Sequence, residues 1–309
     1  MKVIDQKITE NYSIYNGDSC KILQGIPDNS IDYIVYSPPF FDLFNYTDSI
    51  HDISNSLNDL DFLTHYDYII KETERILKPG RLISIHCMDT PYSKSKHGFM
   101  GLRDFPGEII RMHQKYDMIY HSRHCIWKDP LIEAVRTKAI GLAHKQIVKD
   151  SSVCRSGLPD YIITMKKRGD NENFVSHKDG FCNLEYPGSN PPEFDKDDIK
   201  YSHNFWRRLA SPVWMDVRQT KTLNYRAEKG EGDTKHMCPT QLDSIHRCLM
   251  LYSNPGDVVL SPFGGVGTEP YCALNLERKA IAIELKKEYF EQMKLNLSKF
   301  DDTDEFTFI

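Results

Sequence analysis

The segment Val258-Val259-Leu260-Ser261-Pro262-Phe263-Gly264-Gly265-Val266-Gly267-Thr268 constrains the fold more than any other stretch of the chain. An apolar run ends in a glycine-rich loop, and Thr268 to Leu276 continues with helical spacing, so a strand, a tight loop and a helix follow in that order. Glycines let a backbone approach a ligand closely, and the helix N-terminus behind them presents free N–H groups. The next strand, Ala280 to Ile283, runs into Glu284, which places a carboxylate where dinucleotide and related folds bind ribose hydroxyls. The glycines alone fit a plain strand-to-helix turn; their pairing with Glu284 favours a ligand site.

The rest of the chain repeats the alternation. Strands are expected over Tyr12 to Tyr15, Ser30 to Val35, Arg81 to Cys87, Tyr116 to Trp127, Asp160 to Met165 and Asp257 to Leu260. Helices are expected over Asp61 to Leu77, Phe105 to Gln114, Thr240 to Tyr252 and Lys286 to Leu297, the first stopping at Lys78-Pro79-Gly80. Such alternation gives an α/β protein with a mostly parallel sheet and helices on both faces. From Gly169 to Lys235 the rhythm breaks into a stretch rich in Asn, Asp, Gly, Pro and aromatics, expected to be an irregular insert rather than more sheet.

The strand Ser30 to Val35 runs into Tyr36-Ser37-Pro38-Pro39-Phe40. Each proline fixes its own φ, lacks an N–H and pushes its predecessor toward extended conformations, so Ser37 to Pro39 is a stiff elbow whose carbonyls are free to accept hydrogen bonds. A lone Pro-Pro usually marks only a turn. Here the elbow closes a buried strand and is followed by an aromatic.

Composition narrows the function. The chain has 309 residues, 40% of them apolar, enough to bury a substantial core. No apolar run approaches the ~20 residues that cross a bilayer, and the N-terminus lacks a signal-peptide core, so a cytoplasmic protein with no membrane partner is expected. Eight scattered cysteines form no C-x-x-C pair, and reduced thiols follow. His121-Ser122-Arg123-His124-Cys125 could suggest zinc, but no second ligand pair converges on it, and no metal is expected. The net charge of −5 argues against a uniformly basic coat. Basic residues nevertheless outnumber acidic ones by ten to four from His121 to Arg168 and by six to two from His203 to Lys229, while acid gathers at Asp301 to Glu305.

With these residues in place, the chain resembles the amino-DNA methyltransferases that use S-adenosyl-L-methionine. Ser37-Pro38-Pro39-Phe40 matches their [S/D/N]-P-P-[Y/F] catalytic motif, and Ser261 to Thr268 resembles their cofactor loop. The catalytic motif comes first and the cofactor loop last, as in the circularly permuted β group. The resemblance runs from Asn16 to about Leu297. It implies a Rossmann-like methyltransferase fold in which residues 1–168 form a catalytic half, 169–235 a target-recognition insert, 236–300 a cofactor-binding half and 301–309 an acidic tail.

The resemblance also implies roles. Ser37 and the Pro38 carbonyl would accept the hydrogens of the target amine, Pro39 would keep the cradle rigid, and Phe40 would hold a flipped base. Asp18 would lie near the cofactor adenine and Glu284 on its ribose, with Ser261, Phe263, Gly264, Gly265, Gly267 and Thr268 lining the loop; the family usually has an acid where Ser261 stands. Arg123, Lys128, Arg136, Lys138, Lys145, Arg207 and Arg208 would contact double-stranded DNA, which would bring the protein to the nucleoid. A second copy of the chain and a cognate restriction endonuclease are further partners to consider. Serine at the first motif position is typical of cytosine-N4 enzymes and aspartate of adenine-N6 enzymes, so cytosine is favoured. A catalytically silent DNA-binding protein and a nicotinamide oxidoreductase remain the alternatives of other classes; the latter leaves Ser37 to Phe40 unexplained.

Overall fold

The computed structural model describes residues 3–40, 59–92, 94–137, 139–224 and 239–301. In chain order these form strands β1 (Val3–Ile8) and β2 (Tyr12–Gly17), a short helix α1 (Ser19–Ile22), strand β3 (Ile31–Tyr36), helix α2 (Asp59–Ile76) and strand β4 (Leu77–Met88). There follow a small pair β5 (Thr90–Tyr92) and β6 (Gly101–Arg103) flanking α3 (Lys94–His97), then α4 (Phe105–Gln114) and β7 (Ile119–Ile126). Helices α5 (Pro130–Thr137) and α6 (His144–Lys149) lead to β8 (Asp160–Lys166), and α7 (Ile199–Leu209) to β9 (Val213–Trp214). The chain closes with α8 (Leu242–Tyr252), β10 (Val258–Ser261), α9 (Thr268–Asn275), β11 (Lys279–Glu284) and α10 (Lys287–Leu297).

Nine strands form one sheet in the order β1-β2-β11-β10-β3-β4-β8-β7-β9. From β2 to β4 neighbouring strands are parallel, whereas β8 runs antiparallel to both β4 and β7, and β1 antiparallel to β2. All six residues of β3 are buried because helices cover both faces. Ile34 and Tyr36 point into the core beneath α2 and α4, and Tyr33 and Val35 into the core beneath α8, α9 and α10.

Helix α2 shows why the pattern reads correctly. Phe62, Tyr66, Ile69, Ile70 and Ile76 are all buried, one stripe at helical spacing, and full burial of side chains such as Phe62 or Ile69 contributes about 1.5–3 kcal/mol each. The helix ends at Ile76 and β4 begins at once, so Lys78-Pro79-Gly80 lies in the first part of a strand rather than in a loop. Gly80 is required there: its φ is +72°, and a Cβ would stand 2.5 Å from the Asn171 nitrogen.

The region expected to be irregular is partly regular. Helix α7 packs Tyr201, Phe205 and Leu209 against Phe181, Tyr186 and Met250 of α8 in a small core of its own, with the Phe181 and Phe205 rings stacked at 4.8 Å. Strand β9 joins the main sheet beside β7, pairing Trp214 with Ile126. The reason is tertiary: Trp214 is buried, its indole N–H donates to the Leu209 carbonyl at 3.0 Å, and its ring stacks on His124 at 4.5 Å. Buried Arg247 then ties α8 to this region through Asp216 at 2.7 Å, the Tyr186 hydroxyl at 3.0 Å and the Pro187 carbonyl at 2.8 Å.

Candidate active site

Strand order reverses between β10 and β3, and in open α/β sheets the crevice beyond the carboxyl ends of such strands is where ligands bind. Strand β10 delivers Ser261 to Gly267 to that crevice, and β3 delivers Ser37 to Phe40. The two loops touch: the Tyr36 ring lies 5.6 Å from that of Phe263. Tyr36 is fixed from behind by a 2.8 Å hydrogen bond between its hydroxyl and that of Tyr66 on α2, and burial pushes its phenol well above the ordinary value. Pro38 is buried, Ser37 and Pro39 half-buried, and Phe40 packs edge-on against Phe105 at 6.3 Å.

The glycine loop is held from three sides. Gly264 N–H donates to the Ile283 carbonyl at 2.7 Å, Gly267 N–H to the Gly264 carbonyl at 2.8 Å, and the Asn296 amide to the Val266 carbonyl at 2.9 Å. Glu284 ends β11 with one carboxylate oxygen accepting from Gly265 N–H at 2.7 Å and the other from Lys286 N–H at 2.8 Å. A carboxylate oxygen accepts more than one hydrogen bond, so ribose hydroxyls can donate to the same group.

Ser19, at the start of α1, donates its hydroxyl to the Pro262 carbonyl at 2.5 Å, and the Asn16 amide donates to the Glu284 and Leu285 carbonyls at 2.8 and 3.0 Å. Asp18 lies between these two anchored residues in the chain, and its carboxylate caps α1 by accepting from Cys20 N–H at 2.9 Å. Thr268 is buried at the first turn of α9, behind Gly267.

Two observations bear on whether a cofactor such as S-adenosyl-L-methionine fits. A Cβ built on Gly265 would meet nothing within 4 Å, which leaves its side of the loop open. The Ser261 hydroxyl is buried without a hydrogen-bond partner at the base of the same loop, a polar atom at the position where the resemblance led us to expect an acid. The residues fit a ligand with ribose hydroxyls at Glu284 and a polar group at Ser261.

Behind Ser37 lie residues that the sequence did not single out. The Ser37 hydroxyl is 3.3 Å from His86 Nδ1 and 3.2 Å from the His86 carbonyl; His86 Nε2 is 3.1 Å from Asp160 Oδ2, and Lys128 Nζ donates to Asp160 Oδ1 at 2.5 Å. Burial raises the Asp160 carboxyl, but Lys128 and His86 outweigh it and bring it down to about 2, so it is a carboxylate at neutral pH. Lys128, expected on the DNA face, is thus drawn into the interior by Asp160. Two signals pointed here: a histidine in the mostly apolar, buried run Leu82 to Cys87, and an acid opening the buried strand β8.

The other basic residues spread widely. Arg123 lies over the Tyr161 ring at 5.5 Å, Lys145 is exposed on α6, and Arg207 is exposed at the end of α7, where Arg208 lies over Tyr186 at 5.8 Å. The pair expected on a loop is therefore carried by a packed helix. Arg136 falls within α5, and Lys138 lies outside the described residues, as do Arg226, Lys229 and the acidic run from 302 to 305. Among the described residues no cluster of three or more His, Cys, Asp and Glu side chains could hold a metal ion, and no helix is long and apolar enough to cross a membrane.

A family model described as DNA methylase, covering enzymes of the N6 and N4 type, matches residues 31–295. The chain belongs to the N6/N4 DNA methylase family. It is 27% identical over 282 residues to the type II methyltransferase M.BglII of Bacillus subtilis, an alignment spanning 90% of this chain and 66% of that protein. It is 25% identical over 298 residues to the DNA adenine methyltransferase YhdJ of Escherichia coli strain K12, spanning 94% and 83% of the two chains. Its fold is shared with the DNA modification methylase TTHA0409 of Thermus thermophilus, solved in complex with S-adenosyl-L-methionine, at a TM-score of 0.66, 18% identity and 95% coverage of both chains. The cytosine-N4-specific PvuII DNA methyltransferase superposes at a TM-score of 0.61 with 17% identity, over 98% of this N6/N4 methylase and 92% of that chain.

Proposed function

We propose that this chain transfers the methyl group of S-adenosyl-L-methionine to the exocyclic amine of a base flipped out of duplex DNA, with cytosine N4 as the target. The observation that carries the reading is the contact of the two loops: the Ser37 to Phe40 elbow and the glycine loop leave neighbouring strands β3 and β10, joined through Tyr36 and Phe263. A nitrogen held by the first would stand beside a methyl donor held by the second. Catalytic motif first and cofactor loop last is the permuted order of the β group. In this reading the chain divides at 168 and 235 into catalytic half, target-recognition region and cofactor half, and a second copy and a cognate endonuclease are partners to be sought.

The target amine is a poor nucleophile because its lone pair is delocalised into the ring. Ser37 Oγ and the Pro38 carbonyl accept its two hydrogens, which localises the pair and aims it at the sulfonium methyl. Pro38 and Pro39 fix the angles, and Phe40 offers a face to the extruded base. Glu284 holds the ribose, Asp18 the adenine end, and Ser261, Phe263, Gly264, Gly265, Gly267 and Thr268 the remainder of the cofactor. Arg123, Arg136, Lys138, Lys145, Arg207 and Arg208 supply the DNA face, with Lys128 assigned instead to Asp160.

Ser37→Ala tests the assignment. Loss of a transition-state hydrogen-bond partner should lower the single-turnover rate by about 10²–10³ while S-adenosyl-L-methionine binding and folding persist; an unchanged rate removes Ser37 from the chemistry. Adenine N6 is the second reading, favoured by the likeness to an enzyme named as an adenine methyltransferase. Nucleoside analysis of methylated plasmid distinguishes the two bases, and failure to bind labelled S-adenosyl-L-methionine would point to a silent DNA-binding protein.

A further inference from the structure

Sheet register sets four side chains in one row, His86 and Asp160 on the adjacent strands β4 and β8, and Ser37 and Lys128 just beyond the ends of β3 and β7 that flank them. Tyr36 pairs with Ile85, so Ser37 stands level with His86; Met88 and Ile126 both pair with Asp160, which makes His86 on β4 and Lys128 beyond β7 its diagonal neighbours. The distances along the row are 3.3 Å from Ser37 Oγ to His86 Nδ1, 3.1 Å from His86 Nε2 to Asp160 Oδ2, and 2.5 Å from Asp160 Oδ1 to Lys128 Nζ. His86 and Asp160 are 7% and 3% exposed, so the row is shielded from solvent. Two buried polar side chains, one of them a full negative charge, are costly to place in a sheet unless each is satisfied. Here each is, and the row ends on the serine of the elbow.

We propose that His86 is a positioning residue and proton acceptor for Ser37, oriented by Asp160, which Lys128 holds in place. The proposal rests on the reading of Ser37 as the residue that binds the target amine. Asp160 accepts a hydrogen bond from Nε2–H, which fixes the neutral imidazole as the tautomer with a bare Nδ1. The single Ser37 hydroxyl proton has two acceptors on His86, the backbone carbonyl at 3.2 Å and Nδ1 at 3.3 Å, so a small rotation of the hydroxyl turns it from the carbonyl to Nδ1 and leaves the remaining lone pairs to the amine. As the N–CH3 bond forms and the S–CH3 bond breaks, the amine nitrogen becomes positively charged and must shed one proton. Ser37 takes that proton and passes its own to His86 Nδ1. The product amine is then neutral, and the imidazolium is balanced by the Asp160 carboxylate until it returns the proton to water. Lys128 keeps Asp160 from rotating away and keeps it ionised.

The wild-type protein labelled with 15N-histidine reports the tautomer directly, with the His86 signals assigned by their absence in His86→Gln. The Nε2–H form is expected; a predominant Nδ1–H form overturns the proposal. In Asp160→Asn the amide presents N–H toward Nε2 and should invert the tautomer, lowering the single-turnover rate by up to the about 10²–10³ expected of Ser37→Ala with S-adenosyl-L-methionine affinity held within about threefold. Asp160→Glu should restore part of that loss, which a merely structural role would not predict. If Asp160→Asn does not fold, His86→Gln and the wild-type tautomer decide the matter. A folded His86→Gln that methylates within about threefold of wild type while Ser37→Ala is inert overturns the row and leaves the role of Ser37 standing. Full activity in Ser37→Ala overturns the reading beneath it.

Discussion

Gly265 and Gly267 are two residues apart in one loop, yet the structure separates what each does. Gly267 is left-handed with φ of +93°, far from the centre of the well that other residues adopt, and a Cβ there would stand 2.7 Å from Met293 Cγ on α10. Gly265 has φ of +52°, inside that well, and a Cβ would meet nothing within 4 Å. Gly267→Ala therefore combines backbone strain of about 1–3 kcal/mol with overpacking of about 1–3 kcal/mol, a loss of about 4 kcal/mol in all. Gly265→Ala costs only the left-handed penalty of about 1 kcal/mol. Thermal denaturation without ligand should lower the midpoint by about 2 °C for Gly265→Ala and several times that for Gly267→Ala.

Calorimetry with S-adenosyl-L-methionine, well below both midpoints, then separates fold from site. Gly265→Val should retain its fold and lose the ligand, because the branched side chain enters the space the loop leaves open. Both glycines looked equivalent as ligand-facing positions in the sequence; the backbone angle and the Met293 contact distinguish them. Undiminished affinity in Gly265→Val would place the cofactor elsewhere, and a Gly267→Ala protein as stable as wild type would refute the packing argument.

Burial, with the Glu284 carboxylate adding to it, pushes the Glu269 carboxyl from 4.5 up to about 8. The unfolded chain loses this proton near 4.5 and the folded one near 8, so stability is full below the lower value and declines as pH rises through the window; in Glu269→Gln the melting midpoint should decline less over that range. DNA affinity should fall steeply with salt, and charge reversal of the exposed Lys145 and Arg207 should flatten the log–log slope by about 0.9 for each phosphate contact removed; an unchanged slope moves the DNA face away from both. Replacing Arg207 or Arg208 by Ala should relax methylation at one base position if the side chain reads a base edge, or weaken all sites alike if it binds phosphate, and a methylation profile over randomised sites unchanged in pattern and rate would exclude both roles.

Local pattern was enough for the elements that make the scaffold. The stripe from Phe62 to Ile76, the run Ile31 to Tyr36 and the glycine loop with Glu284 were legible because helix period, unbroken apolarity and backbone chemistry are written in neighbouring residues. The same is true of the stiff elbow at Ser37, whose geometry the two prolines impose. Pairing across distance was not legible. Strand β9 exists because Trp214 finds His124 and the Leu209 carbonyl, and α7 because Phe205 and Tyr201 find Phe181 and Tyr186; the segment's own composition reads as loop. Lys128 is basic and near other basic residues, which in sequence suggests a DNA contact, but a buried carboxylate from a strand 32 residues away captures it. His86 and Asp160 carry no motif. They meet because β8 runs antiparallel to β4, and sheet order and register arise only when the whole core packs.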